Sequence, residues 1–326
     1  MQKYILQRLL LTIPTLFIIT VITFVGLRVV VPQDVIDVMI GNFGREDPEL
    51  RAYLEGELGL SGSVPEQYAE WVGLSWFWGG QTGILQGDLG DSLYTGRSVV
   101  SELKRRVPVS IELGVWGLFM AVATSVPLGV IAALRQDKWP DYILRSSGIL
   151  LASLPNFWIA ILIITFGSLW FQWAPPIQFA FIQDDPVQHF KIMLLPALII
   201  GLTPSGGLIR LTRTQMLEVL RQDYIRTAYA KGLSQNAILY GHALRNALIP
   251  IVTVIGVSLP GIISGTVIFE QIFLIPGMGR YLVDAIALLD YPVIQGVILT
   301  FSVVLMGAVL IVDISYTYLD PRIRYD

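Results

Sequence analysis

Residues 223–250 read DYIRTAYAKGLSQNAILYGHALRNALIP. The stretch carries Arg226, Lys231, His242 and Arg245 around Gly232, and it lies between two long apolar runs. A chain that mostly avoids water but interrupts itself with a basic, helix-forming, jointed segment follows the pattern of a membrane protein whose loop reaches into water.

Composition points the same way. The 326 residues are 54% hydrophobic and only 14% charged, with a mean hydropathy of +0.64. A soluble chain carries about 25% charged residues. The shortage is concentrated: apolar runs at residues 9–31, 111–134, 143–171, 192–211, 248–269 and 293–318 alternate with polar segments. A bilayer core needs about 20 apolar residues in helix, so the expectation is an all-α integral membrane protein with six transmembrane helices. The first run is too long for a signal peptide and no small-residue cleavage site follows it, so it reads as a retained span. With no cysteine and only His189 and His242, disulfides, thiol chemistry and a histidine-rich metal centre are excluded.

Lys and Arg in short connections set the orientation. Lys3 and Arg8 precede the first run; Arg135, Lys138 and Arg145 fall between the second and third; Arg210, Arg213, Arg221, Arg226, Lys231 and Arg245 belong to the connection between the fourth and fifth. Both termini and the insert are therefore expected in the cytoplasm of a multi-pass protein of the cytoplasmic (inner) membrane. The sequence divides into residues 1–31, an extracytoplasmic insertion between helices 1 and 2 at residues 32–107, and a five-helix core at residues 108–326. Within the insertion, residues 46–60 (EDPELRAYLEGELGL) read as an acidic helix and residues 64–78 (VPEQYAEWVGLSWFW) as an amphipathic one.

In the insert, helix formers run to Lys231, Gly232 breaks the helix, Ser234 caps the next, and residues 235–247 resume it. Tyr224, Ala228 and Lys231 fall at i, i+4 and i+7, on one face. A jointed foot tied to two spans suits a lever; a basic helix held at anionic headgroups is the alternative. Elsewhere, Pro155, Pro196, Pro204 and Pro260 lie inside apolar runs, and Gly261 and Gly265 have the spacing that lets helices approach. Asn156, Ser205 and Ser264 are the uncharged polar groups expected to face a substrate path, with packing as the other reading. Glu112, Glu270 and Asp313 count as functional candidates at membrane depth, with Glu112 expected to pair with the Lys104–Arg106 cluster.

The insert closely resembles the cytoplasmic "EAA" loop of ABC-type importer permeases of the dipeptide/oligopeptide/nickel family. YILQRLLLTIPTL at residues 4–16, GDLGDSLYTGRSV at 87–99, PLGVIAALR at 127–135, SLPNFW at 153–158, IPGMGRYLVDAI at 275–286, DYPVIQG at 290–296 and LDPRIR at 319–324 are also similar to that family's first-permease subunit. The resemblance implies the type I ABC importer permease class, with residues 212–247 as the cytoplasmic coupling loop. It implies that Tyr224, Arg226, Thr227, Ala228, Lys231, Gly232 and Ser234 contact a separate ATPase, Arg226, Thr227 and Ala228 standing where the broader signature has Glu-Ala-Ala. The implied partners are two ATPase subunits, a second, homologous permease chain and an extracytoplasmic substrate-binding protein. ATP and Mg belong to the ATPases: no Gly-x-x-x-x-Gly-Lys-Ser/Thr loop occurs here, so this chain is expected to carry no cofactor and no enzyme activity. Peptides are the implied cargo, with nickel chelates, glutathione or oligosaccharides as alternatives on the same machinery. An ion-coupled carrier is the competing class; it would want carboxylates or histidines near mid-membrane and an internal repeat.

Overall fold

The computed structural model describes residues 2–30, 63–80 and 82–319. The acidic helix expected at residues 46–60 lies outside them. Among the described residues every regular element is helical, apart from one isolated antiparallel bridge between Asp91 and Ser98. In chain order the helices are α1 (Gln2–Val30), α2 (Val64–Val72), α3 (Val99–Leu134), α4 (Trp139–Ser153), α5 (Asn156–Phe171), α6 (Pro186–Leu220), α7 (Asp223–Ala230), α8 (Arg245–Ile272), α9 (Met278–Leu288) and α10 (Tyr291–Leu319). Only helices and closed barrels pair every backbone polar group in hydrocarbon, so a helical chain is what this hydropathy dictates.

Among the described residues, five segments are long and apolar enough to cross a membrane: Leu10–Arg28, α3, α6, Ala237–Ile272 and Tyr291–Ser315. The sixth, the apolar run at residues 143–171 with Pro155 inside it, needs α4 and α5 together. The chain bends by 96° between them. Pro155 pushes the preceding residue out of the helical region, and Leu154 sits extended at φ −97° and ψ 134°. Pro196, Pro204 and Pro260 remain inside their helices.

The chain forms two compact units, Met1–Val107 with Tyr281–Met306, and Pro108–Arg280 with Gly307–Asp326. In the first, α2 opens with the Glu66 carboxylate accepting from the Ser63 N–H at 2.8 Å, a bond that holds the Glu66 carboxyl below its ordinary range. It packs on α1 through the rings of Phe24, Tyr68 and Trp71, and Gln67 accepts two hydrogen bonds from the Arg28 guanidinium at 2.9 and 2.7 Å. The turn after Gly87 is tied to the start of α10, where the Asp290 carboxylate accepts from the Ser92 hydroxyl at 2.6 Å and the Leu93 N–H at 3.3 Å.

The second unit is built around α6. Leu113 of α3, Ala160 of α5, Ile192, Ala197 and Ile199 of α6 and Phe269 of α8 form its main core. Helix α4 lies on α6 differently, through a polar lock and a bare backbone contact. Asp141, fully buried, accepts from Arg213 Nε at 2.6 Å and Nη2 at 2.7 Å, and also from the Asp137 N–H at 3.0 Å. Further along, Gly148 and Gly206 bring the two backbones together, so that a Cβ on Gly206 would fall on the Gly148 carbonyl oxygen.

Close approach of this kind tolerates no side chain. Gly206→Ala should cost about 1–3 kcal/mol of stability through overpacking, read as a lowered unfolding temperature in detergent. Gly207→Ala, where a Cβ meets nothing within 4 Å, should leave that temperature unchanged or raise it.

Candidate functional site

The insert leaves α6 at Arg221 and turns through the extended residue Gln222 into α7. Helix α7 has two unlike faces. Ile225 and Ala228 point inward, 0% and 8% exposed, and pack with Met216, Val130, Ala133, Ile238, Leu239, Ala243 and Ala247. Tyr224, Arg226, Thr227, Tyr229 and Lys231 are exposed. Ala228 therefore does not share the exposed face of Tyr224 and Lys231; it holds the helix to the core. Its small side chain lets α7 seat closely against the core.

The joint at Gly232 has φ +78°. Its N–H bonds to the Tyr229 carbonyl at 2.9 Å and the Leu233 N–H to the Ala228 carbonyl at 3.3 Å, which ends α7 with its last carbonyls satisfied. Ser234 then starts the next helix: its carbonyl accepts from the Ile238 N–H at 3.0 Å and its hydroxyl from the Ala237 N–H at 3.4 Å. The expected resumption occurs, but Ala237–Leu244 is wound as π-helix before α8 begins at Arg245. The wider turn puts Ile238 and Ala243, five residues apart, on the same buried face. Tyr240, Gly241 and His242 are left on the outside. A hydrogen bond of 2.8 Å from Asn246 Nδ2 to the Tyr224 hydroxyl ties α7 to α8 across the joint. The exposed Arg226–Asp223 pair, at 3.4 Å, is of the kind that adds little.

The three residues expected along a substrate path are set apart. Asn156 is half-buried at the first turn of α5, beside the bend. Ser205 is buried in α6 with its hydroxyl bonded to the Leu202 carbonyl of the same helix. Ser264 is exposed on α8 and bonds back to the Pro260 carbonyl at 3.0 Å.

Two of the three carboxylates expected at depth, Glu112 and Glu270, have definite partners. Glu112 lies 2.8 Å from His189 Nε2, while Arg106 of the basic cluster bonds to Glu102 at 3.0 and 3.1 Å, which corrects the expected pairing. The other nitrogen, His189 Nδ1, is 2.8 Å from the Ala180 carbonyl. A carbonyl only accepts, so Nδ1 carries the hydrogen, and the Glu112–Nε2 contact is bridged by a proton from one side or the other. Glu270, fully buried, accepts from the Thr266 hydroxyl at 2.9 Å and from the Arg280 N–H at 3.0 Å. It thereby secures the IPGMGR turn, with the Ser110 hydroxyl accepting from the Met278 N–H at 2.8 Å. Spacing alone could not reveal these partners, which lie 77 and 168 residues apart for Glu112 and Ser110.

Residues 125–325 match the family model described as "Binding-protein-dependent transport system inner membrane component", and residues 1–114 match that of the family's N-terminal region. The chain is 36% identical over 348 residues to the dipeptide transport system permease protein of Escherichia coli (strain K12), covering 100% of this chain and 99% of that one. It is 36% identical, with the same coverage, to the di/tripeptide transport system permease protein of Pseudomonas aeruginosa (strain UCBPP-PA14). A chain from inward-facing structures of the MetNI methionine ABC transporter superposes with a TM-score of 0.48 at 13% identity, covering 68% of this chain and 96% of that one. That likeness is too loose for residue-level equivalence.

The joint makes a distinct prediction. Nothing lies within 4 Å of a Cβ built on Gly232, so a substitution there strains the backbone alone. Gly232→Val should cost about 1–2 kcal/mol at that residue and lower uptake relative to ATP hydrolysis. Gly232→Asn, which tolerates the left-handed region, should retain most of the coupling. Equal losses in the two variants would count against the backbone explanation.

Proposed function

Because this chain belongs to the family of binding-protein-dependent transport system inner membrane components, we propose that it is the membrane-spanning permease subunit of an ATP-driven importer of peptides. The cargo follows from the full-length likeness to permeases named for dipeptides and tripeptides. An extracytoplasmic binding protein delivers the peptide, and ATP with Mg is held and hydrolysed on two separate ATPase subunits. A second permease chain, homologous but different, completes the path. In this reading both termini and the insert face the cytoplasm, which the Lys and Arg distribution supports.

The observation that carries the reading is the construction of the insert. An outward face of Tyr224, Arg226, Thr227, Tyr229 and Lys231 is free to meet an ATPase, while Ile225 and Ala228 key the same short helix into the core. Gly232 and Ser234 shape the turn that leads on to α8. A push on the outward face is thus delivered to the ends of α6 and α8 together. The helices respond by alternating access, exposing Asn156, Ser205 and Ser264, or their neighbours, to a path between the two permease chains.

Reconstituted into vesicles with its ATPase subunits, second permease and binding protein, the chain should support uptake of labelled dipeptides only when ATP is supplied on the insert's side. Omitting the ATPases or the binding protein should abolish it. Uptake by this chain alone, driven by a proton or sodium gradient, would overturn the reading.

A further inference from the structure

The lock between α4 and α6 lies outside residues 223–250 and outside the path residues, Arg213 standing at the start of the expected coupling loop at residues 212–247. We infer that Asp141 and Arg213 are positioning residues that make α4 and α6 a single moving part, so that a displacement of the insert is carried into the broken third span. The inference rests on the importer reading above.

Four features of the geometry lead there. The Asp141 carboxylate is fully buried and its acceptor positions are filled, by Arg213 Nε and Nη2 at 2.6 and 2.7 Å, by the Asp137 N–H at 3.0 Å and by Arg145 Nε at 3.5 Å. The two parallel N–H bonds of the Arg213 fork fix orientation as well as distance. Gly148 lies seven residues beyond Asp141, and Gly206 seven before Arg213. Both are about two turns along their helices, and there the backbones touch. Two antiparallel helices pinned at two levels cannot slide or roll past each other without breaking the fork or driving backbone into backbone.

The location gives the lock its consequence. Met216, fully buried and three residues past Arg213, packs with Ile225 and Ala228 of the insert helix. Helix α4 ends at Ser153, and the 96° bend into α5 follows at Leu154 and Pro155. Motion entering at α7 therefore reaches α6 through packing, crosses to α4 through the ion pair, and arrives at the bend. Apolar contact alone would serve poorly here. Ile143, Ile149 and Leu150 of α4 face outward, more than half exposed, and lipid supplies no hydrophobic force to press helices into one register. A buried fork supplies register, which is the best-attested use of a buried ion pair.

The test uses the complete transporter and the labelled dipeptide that the unaltered complex takes up, and reads uptake per ATP hydrolysed. Asp141→Asn and Arg213→Gln should each lower that ratio by about tenfold or more, with complex recovery and ATP hydrolysis retained. The chain has no cysteine, so Asp141→Cys with Arg213→Cys introduces its only thiols. In partners cleared of accessible cysteines, that double variant should be uncoupled, and a short bifunctional thiol reagent should restore coupling by replacing the ionic staple with a covalent one. Single variants with an unchanged ratio, or a cross-linked pair that stays as poor as the open one, would overturn the inference. A second readout needs no cargo: spin labels at Tyr142→Cys and Thr214→Cys, both exposed, should hold one distance in the ATP-free and the vanadate-trapped complex. A distance that changes between those states sinks the single-part idea. Failure of the importer reading would appear separately, as an unaltered complex that takes up no dipeptide.

Discussion

The seating of Ile225 and Ala228 in the core is the contact on which the rest depends. Without it the insert would be a tethered loop, and force applied to its outer face would be lost in the tether. Ile225 is fully buried, and burying such a side chain contributes about 1.5–3 kcal/mol, which suffices to hold an eight-residue helix that would not form alone. The partners matter as much as the magnitude. Val130 and Ala133 come from the end of α3, Met216 from α6, and Ile238, Leu239, Ala243 and Ala247 from the π-wound run into α8. One short helix is thereby keyed to three spans.

Within the bilayer the same unit relies on different forces. Helices in lipid gain little from hiding apolar surface from one another, so they associate through close backbone approach and through hydrogen bonds. Both occur on α6: Gly201 and Gly206 lie against the backbones of α3 and α4 within the apolar runs, and just beyond those runs Arg213 binds Asp141. The outward faces are left rich in large apolar groups, Leu169, Trp170 and Phe171 of α5 among them, each at least 70% exposed in this single chain. Such faces suit lipid or a neighbouring permease, and a single permease chain is expected to show both.

Much of this was legible in the sequence, because the signals concerned are local. Apolar run length gave the spans, and the Gly232–Ser234 pair gave the joint, since the left-handed cap and the helix start each need a particular residue at a particular place. What escaped was set by tertiary context. Pro155 marked a break, but its residue type is shared with Pro196, Pro204 and Pro260, which stay within helices. Ala228 fell on the right face by α-helical counting, yet the core claimed it. The π register of residues 237–244 follows from which side chains must be buried together, a demand that no local preference encodes. The Asp141–Arg213 lock joins residues 72 apart, and in the sequence Arg213 reads only as one more basic marker of orientation.

The same partners bear on the source of energy. An ion-coupled carrier needs a carboxylate or histidine that exchanges its partners during the cycle. Here Glu270 is engaged by Thr266 and the α9 turn, Asp290 by Ser92 and Leu93, and Asp141 by two arginines and a backbone N–H. Glu112 and His189 come nearest to a proton site, but the Ala180 carbonyl already fixes one ring nitrogen, and the pair closes the start of α6 against α3. Each group serves as a tie between elements, and releasing it would loosen the fold before it moved a cargo. A bundle in which these described carboxylates hold the shape fits a motor on separate ATPase subunits, and the exposed face of α7 is where we propose that drive enters.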